Sequence, residues 1–266
     1  GARKPSSLDG APYDGYGGYT FGTFLTRYAL SENEVSNIQD IAEREQLKAL
    51  GMSVKVVNER QRQLLRSPLV KYENGKKTVD VRRWLKQIND GVPPDVVLVE
   101  LGVNSVFSYR GEGEELRARI RENVIPDMER LLKRLRQDIP NAVYLLCTLP
   151  VGASQDGFGA NYGSGWNEVQ HRKIMFALNR EYAAYVRSKN DPQLRLLPLG
   201  QAIDPIEGFI RESRRPSARS ECYVEMNVNA VHMSHVGGLQ AGDAIAAMLM
   251  CMMGSQDGKT QDLEKR

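Results

Sequence analysis

The sequence predicts an α/β protein built on a parallel sheet with helices on both faces. Three apolar runs lead to this prediction: DVVLVEL at 95–101, AVYLLCTLP at 142–150 and LRLLPL at 194–199. None of them alternates between apolar and polar residues, which is the pattern of strands that are covered on both faces. Helical segments separate and follow the runs, and this alternation is typical of a parallel sheet. Ligands of such sheets bind at the carboxyl ends of the strands.

Helices are predicted from apolar residues at three-to-four spacing and from the residues that stop them. Pro93 and Pro94 end the helix before the first run, and Pro126 interrupts a long charged helix. Asn74-Gly75 is a turn signal. One helix is predicted to begin near Thr20, and the others cover residues 79–90, 113–137, 166–189 and 237–253.

The composition is that of an ordinary globular domain. Of the 266 residues, 41% are hydrophobic and 26% are charged, so residues 1–254 are predicted to form a single domain. The polar segment 255–266 is predicted to be a disordered tail. The 36 basic and 33 acidic residues are interspersed, which argues against nucleic acid as a partner. No run approaches the ~20 apolar residues that a membrane span needs, so no span is predicted.

Neither a metal nor a cofactor is predicted. Cys147, Cys222 and Cys251 lie far apart, without the spacing of a zinc site or a disulfide framework. No Gly-x-Gly-x-x-Gly follows a strand, so a dinucleotide-binding enzyme is the least favoured function. The chain opens with Gly rather than Met, and we expect that an N-terminal segment has been removed. The compartment stays open between a secreted or periplasmic location and the cytoplasm.

Several residues near the predicted strand ends suit one kind of catalytic site. Asn104 follows the first run, where its amide can donate a hydrogen bond into the crevice. Gly17 and Gly18 offer a backbone N–H that a ligand oxygen can approach closely. The segment NAVHMSHVGG at 229–238 holds two of the three histidines, just before the last helix. An amide donor, a glycine N–H and a histidine base can hold a tetrahedral oxyanion and move its protons.

These segments resemble motif blocks of the SGNH hydrolases, also called GDSL-type esterases. PDVVLVELGVNS at 94–105 resembles the Gly-x-Asn-Asp block of that family. NAVHMSHVGG is similar to the last block, in which Asp-x-x-His is followed five residues later by Gly. DGYGGYTFGTFL at 14–25 and GFGANYGSGWNEVQHRK at 157–173 resemble segments of the carbohydrate-esterase-like members. The matches stand in the family's order and span about residues 14–253.

The resemblance implies a serine-type ester hydrolase that works through an acyl-enzyme and an oxyanion hole. It also implies a three-layer α/β/α sandwich with a parallel, flavodoxin-like sheet. By position, His232 is the general base, and Asn229 stands where the family has the Asp that orients this base. Asn104 and the N–H of Gly18 take the positions of the oxyanion-hole donors.

The substrate that the resemblance implies is an acetylated carbohydrate or a small ester. Tyr162 and Trp166 are predicted to line a sugar site, because aromatic rings suit the faces of sugars. A Gly-rich loop also uses such residues simply to pack itself down. The oligomeric state is not predicted.

Three departures from the family pattern define the alternatives, namely the absent Gly-Asp-Ser block, Asn229 in place of Asp, and Ser105 where the family usually has Asp. No Gly-Asp-Ser block precedes the glycine block, so the nucleophile is not identifiable and the fold is expected to lack its first strand, which exposes an apolar slot. Ser105 is a substitute nucleophile only if His232 reaches it. Asn229 replaces an Asp and cannot stabilise imidazolium by charge. The alternative function is therefore a catalytically inactive domain that binds a glycan or a protein partner.

The remaining histidine and the methionines receive structural interpretations. His171 lies on a helix among charged neighbours and is predicted to be solvated. The methionines between 248 and 253 are predicted to form a buried helix face, together with Cys251.

Overall fold

Each of the three apolar runs forms a strand in the computed structural model, which describes residues 19–27, 67–152, 154–162 and 167–263. The elements are, in chain order, α1 (Phe21–Thr26), β1 (Val70–Glu73), β2 (Lys76–Val79), α2 (Val81–Asn89), β3 (Val96–Val99), α3 (Val103–Val106), α4 (Gly113–Asn123), α5 (Ile125–Asp138), β4 (Val143–Cys147), α6 (Gln155–Tyr162), α7 (Glu168–Lys189), β5 (Leu194–Leu197), α8 (Leu199–Ala202), β6 (Arg211–Arg214), β7 (Val224–Asn227) and α9 (His235–Leu263).

The predicted α/β class is confirmed, with a parallel sheet of three strands in the order β3-β4-β5 and helices on both sides. Val96 lies opposite Val143, and Cys147 lies opposite Leu197. Successive residues of a strand point to opposite faces. On one face, Leu145, Cys147 and Leu197 pack with α9. The middle strand is buried on both faces, because its residues 144–147 are all nearly inaccessible to solvent.

The strand β3 is less covered than its sequence predicts. Val99 is buried, but Leu98 is 41% exposed and Val96 and Val97 are only half-buried. Among the described residues, β3 pairs with β4 alone, so its other edge has no strand beside it. An apolar run without alternation was expected to be covered on both faces, and for β3 this expectation is wrong.

The chain divides into two compact units. The first unit comprises residues 1–95 and 126–142. In this unit β1 and β2 form an antiparallel hairpin, and Asn74 and Gly75 both have positive φ, as a tight hairpin turn requires. Asp80 caps α2 by accepting the N–H of Arg83 at 2.9 Å. The Arg134 guanidinium of α5 donates to the carbonyl of Val79, at the end of β2.

The second unit comprises residues 96–125 and 143–266 and contains the parallel sheet. It also contains the antiparallel pair β6–β7, which the sequence did not predict. Asn167 caps α7 through the N–H of Gln170, and Asn190 ends this helix in the left-handed conformation. The predicted interruption of the long charged helix is confirmed, since α4 ends at Asn123 and α5 begins at Ile125.

The last helix, α9, begins at His235 and continues to Leu263, so it includes most of the segment 255–266 that the sequence predicts to be disordered. Its first part, His235–Gly254, is the one described helix that is long and apolar enough to cross a membrane by length and composition. A core helix of a soluble protein meets the same criteria. This finding does not contradict the prediction that the chain has no membrane span.

Part of α9 is less buried than its sequence predicts. Met248 and Met252 pack against the core cluster, but Met250, Cys251 and Met253 are exposed. The predicted burial is therefore wrong for these three residues.

Candidate functional site

The carboxyl ends of the three parallel strands meet around Leu149. The Asn179 side chain accepts the N–H of Leu149 at 2.7 Å and donates to its carbonyl at 2.8 Å, which fixes the exit of β4. A Cβ at Gly102, where φ is +130°, would collide with the Tyr182 hydroxyl, and a Cβ at Gly200 would collide with the carbonyl of Leu149. Glycines therefore allow the three strand exits to pack closely at the edge where the sequence predicts the site.

Asn104 lies at this edge, on the short helix α3 that follows β3. Its side chain is exposed to solvent, as an oxyanion-hole donor would be. The hydroxyl of its neighbour Ser105 is buried and has no hydrogen-bond partner. Because no histidine holds this hydroxyl, the structure gives no support to Ser105 as the nucleophile.

The structure brings Asn229 and His232 together, as the resemblance implies. The amide nitrogen of Asn229 lies 3.0 Å from Nδ1 of the His232 ring. The amide oxygen accepts the backbone N–H groups of Val231 at 3.1 Å and His232 at 2.8 Å. The imidazole is exposed to solvent. The residue at position 229 therefore orients the ring at position 232.

These contacts also determine which nitrogen of the ring carries the proton. Two backbone N–H groups face one end of the Asn229 amide, so this end is the oxygen and the other end is the donor. The Asn229 amide therefore donates to Nδ1 of His232, and the neutral ring carries its proton on Nε2. A ring in this tautomer can donate a hydrogen bond through Nε2.

His171 is buried, so the prediction that it is solvated is wrong. Its side chain is 1% exposed and lies between the rings of Phe107 and Phe158, whose centroids are 6.2 and 5.1 Å from that of the imidazole. Its Nδ1 is buried and has no hydrogen-bond partner. Burial lowers the pKa of His171 to about 4, so the ring is neutral at physiological pH.

His171 lies where the segments that carry Asn104 and His232 approach each other. Phe107 directly follows α3, three positions after Asn104. On the other side, a Cβ at Gly152 would lie 2.8 Å from Cδ2 of His171 and 3.0 Å from the carbonyl oxygen of Ala230, two positions before His232. The helix α3 and the 229–232 loop thus both come close to this ring.

Glu100 also lies at the end of β3, and no sequence motif predicted it as a site residue. It follows β3, and solvent reaches its side chain. Desolvation by the surrounding protein nevertheless raises the pKa of its carboxyl group. Burial, together with the charge of Glu100, raises the pKa of the Cys147 thiol to about 12, so this cysteine is an inert part of the core.

Three of the predicted site residues lie outside the described part of the structure. They are Gly18, Trp166 and the side chain of Tyr162, whose backbone ends α6. Within the described residues, no group of three His, Cys, Asp or Glu side chains is arranged to hold a metal ion.

Comparisons of the chain with protein-family models, with curated proteins and with solved structures gave no match. The function is therefore inferred from the site and from the short motifs.

Proposed function

We propose that this chain is the base-bearing part of a serine-type ester hydrolase of the SGNH kind, which removes acetyl groups from a carbohydrate. The hydrogen-bonded pair of Asn229 and His232 carries the proposal. A solvent-exposed imidazole that is oriented by a side chain three residues earlier is what a general base requires. Its loop lies beside the exit of β4, through the contact of Ala230 with Gly152.

In the proposed mechanism, the Asn229 amide turns its oxygen towards Nδ1–H of His232, and the free Nε2 of this tautomer takes the proton of a serine hydroxyl as that oxygen attacks the ester carbonyl. The exposed amide of Asn104 and the backbone N–H of Gly18 donate to the oxyanion that forms. His232 then gives the proton to the leaving alcohol, and the acyl-enzyme is hydrolysed by a water that the same ring deprotonates. Tyr162 and Trp166 are proposed to stack on the sugar.

The serine belongs, in this proposal, to a Gly-Asp-Ser segment outside these 266 residues. This segment also supplies the first strand, which completes the three-layer sandwich. Two observations support it. The Ser105 hydroxyl has no base within hydrogen-bond distance. The strand β3 has no described neighbour on one edge and exposes Leu98, an arrangement that a further strand with its helix would cover.

A second candidate function is favoured by the tautomer of His232. A ring that carries its proton on Nε2 cannot accept a proton there, and the Asn229 contacts stabilise this form. A domain that holds the acetyl oxygen of a glycan with Nε2–H and the Asn104 amide would use the same crevice without turnover. This is the catalytically inactive alternative.

Labelling with a fluorophosphonate distinguishes the two functions. We expect the native protein to be labelled at a serine of a Gly-Asp-Ser peptide, located by mass spectrometry of its fragments. His232→Ala should abolish labelling. His235→Ala is the matched control, because His235 is an exposed histidine at the start of α9, and this change should leave the labelling rate within about twofold.

Labelling that is equal in the two variants would contradict the role of His232. An unlabelled native protein that binds an acetylated oligosaccharide would establish the inactive alternative instead. Labelling at Ser105 would contradict the proposed source of the nucleophile.

A further inference from the structure

The loop at 229–233 is anchored at both ends on one short segment, residues 206–210. The residue before the loop, Val228, donates its N–H to a carbonyl of this segment at 2.9 Å, and the residue after it, Ser234, does the same at 2.8 Å. The hydroxyl of Ser234 donates to a further carbonyl of the segment at 2.9 Å. These bonds fix the two ends of the loop relative to each other. The loop is called the base loop below, because it carries His232.

Asn227 connects the start of the base loop to a second segment, the one that follows β4. Its side chain is only 4% exposed. The side-chain oxygen accepts the hydroxyl of Ser154 at 2.8 Å, and the side-chain nitrogen donates to the carbonyl of Ile206 at 3.0 Å. Because a carbonyl oxygen can only accept, the orientation of this amide is determined. Both ends of the side chain are thus used, and each end holds a different segment.

Ser154 is itself held in place by the buried part of the second unit. It directly precedes α6, and its carbonyl accepts the N–H groups of Gly157 at 3.1 Å and of Phe158 at 3.5 Å in the first turn of that helix. Phe158 is fully buried, and its ring packs against that of His171. Asn227 is therefore bonded to a residue whose own position is fixed by the core.

We infer that Asn227 is a positioning residue, which holds the base loop against the segment after β4 and so sets the place of His232 beside the exit of that strand. This inference rests on the proposed function of His232. Asn227 acts through the loop, which begins two positions later in the chain. The role requires a side chain with one acceptor and one donor, and an amide offers both in one plane.

The contacts inside the base loop do not depend on Asn227. The Asn229 amide bonds Nδ1 of His232 and two backbone N–H groups of the loop itself. Loss of the Asn227 bonds should therefore displace the loop as a unit, with the pair of Asn229 and His232 intact. A misplacement of about 1 Å by a change remote from the chemistry can cost about 100-fold in rate.

The first test is the rate of fluorophosphonate labelling of the native protein. Asn227→Ala should lower this rate about 100-fold. Ser154→Ala should also lower it, whereas Ser154→Thr keeps the hydroxyl and should retain most of the rate. Glu181→Gln is the matched control, because Glu181 is also 4% exposed and loses its ion pairs with Arg117 and Arg121 on α4. It should leave the rate within about twofold.

The two substitutions by alanine should not add. Without the amide of Asn227, the hydroxyl of Ser154 has lost the partner through which it acts on the base loop. The double variant should therefore be labelled at the rate of Asn227→Ala alone. Losses that multiply would show that the two side chains act separately, and they would overturn the inference.

The crystal structure of Asn227→Ala tests the inference without reference to activity. When the strands β3, β4 and β5 are superposed on those of the wild-type crystal, the base loop should be displaced by about 1 Å. The nitrogen-15 shifts of the His232 ring should keep their wild-type values, because the contact with Asn229 is retained. An unmoved loop would overturn the inference. A loop in which the ring no longer contacts Asn229 would overturn it as well, since Asn227 would then maintain the fold of the loop rather than its position.

Failure of this inference and failure of the proposed function give different results. If the native protein is not labelled but the base loop moves in Asn227→Ala, the proposed function fails and the role of Asn227 in placing the loop stands. If the native protein is labelled and Asn227→Ala keeps its rate, the inference fails and the proposed function stands.

Discussion

His232 and His171 are both in the second unit, yet their environments are opposite. His232 is exposed, and the side chain of Asn229 holds its Nδ1. His171 is buried between two aromatic rings, and its Nδ1 has no partner. Gly152 is close both to the ring of His171 and to the loop that carries His232.

This difference shows how the protein determines what each imidazole does. A hydrogen bond to one ring nitrogen fixes the proton on the other, so the partner at position 229 decides whether His232 donates or accepts in the crevice. Burial without a partner acts on the charge instead, and it keeps His171 neutral. The hydrogen bond to Nδ1 suits a catalytic or ligand-binding histidine. Burial without a partner makes His171 a residue of the packed core, and protonation of its ring would oppose folding.

The largest expected effect comes from Asn229→Asp. A carboxylate accepts through both oxygens, so one oxygen keeps the backbone N–H groups of residues 231 and 232 while the other accepts a hydrogen bond from Nδ1–H of His232. The ring proton then moves from Nε2 to Nδ1, which nitrogen-15 chemical shifts report. In the native protein, hydrolysis of p-nitrophenyl acetate should increase by up to about 10,000-fold, the size of the loss that the reverse change causes in a serine protease.

The nitrogen-15 shifts report the tautomer of His232, and the hydrolysis rate reports its function. If the proton moves to Nδ1 and the rate does not rise, His232 is not the base of an esterase. Asn229→Ala is the control for the loss of orientation alone, and it should not raise the rate.

The next largest effect is the pH dependence of stability that His171 causes. Its pKa is about 4 in the folded protein and 6.5 as its ordinary value, so between these values the unfolded chain binds a proton that the folded chain does not. The contribution of the neutral ring is complete above pH 6.5 and is lost as the pH falls towards 4. The total loss is roughly 3 kcal/mol of unfolding free energy. Urea unfolding at several pH values between 7 and 4 measures it.

His171→Leu is the comparison for this measurement, because leucine cannot bind the proton. Its unfolding free energy should fall less steeply between pH 6.5 and 4, by up to about 1.4 kcal/mol per pH unit. Parallel curves for the two proteins would show that His171 is not neutral and buried in solution.

The helical spacing of the sequence could have predicted the burial of His171. With Ile174, Leu178 and Tyr182, it occupies one face of α7 at steps of three and four, and all four are buried. The charged residues Arg172 and Lys173 follow His171 in the sequence and suggested that His171 is exposed. They lie on another face of the helix. The strands were predictable for a related reason, since continuous apolar runs have few alternatives to a buried strand.

Other features depend on contacts that no local pattern encodes. The exposure of Leu98 accompanies an edge of β3 that has no strand beside it among the described residues, and α9 has the composition of a core helix although one of its faces is exposed. The resemblance to the family's Asp-x-x-His block implied that Asn229 would orient His232. It could not predict which end of the amide faces the ring, because two backbone N–H groups of the folded loop decide that.

The smallest predicted effect concerns Gly152, which is close to both histidine segments. Gly152 and Gly91 have nearly the same φ, +84° and +85°, so alanine causes similar backbone strain at both positions, about 1–2 kcal/mol. A Cβ at Gly91 would meet nothing within 4 Å, whereas one at Gly152 would press on His171 and on the Ala230 carbonyl. Gly152→Ala should therefore cost about 1 kcal/mol more than Gly91→Ala in urea unfolding.

The ring of His171 is responsible for part of this difference, so the extra cost of Gly152→Ala should shrink when His171→Ala removes the ring. The remaining contact, with Ala230, displaces the loop that orients His232, and the fluorophosphonate labelling rate should fall in both backgrounds. Equal costs for the two glycine variants would mean that the ring and the loop are not packed together in solution. His232 would then be oriented by Asn229 alone, with no support from the packing around His171.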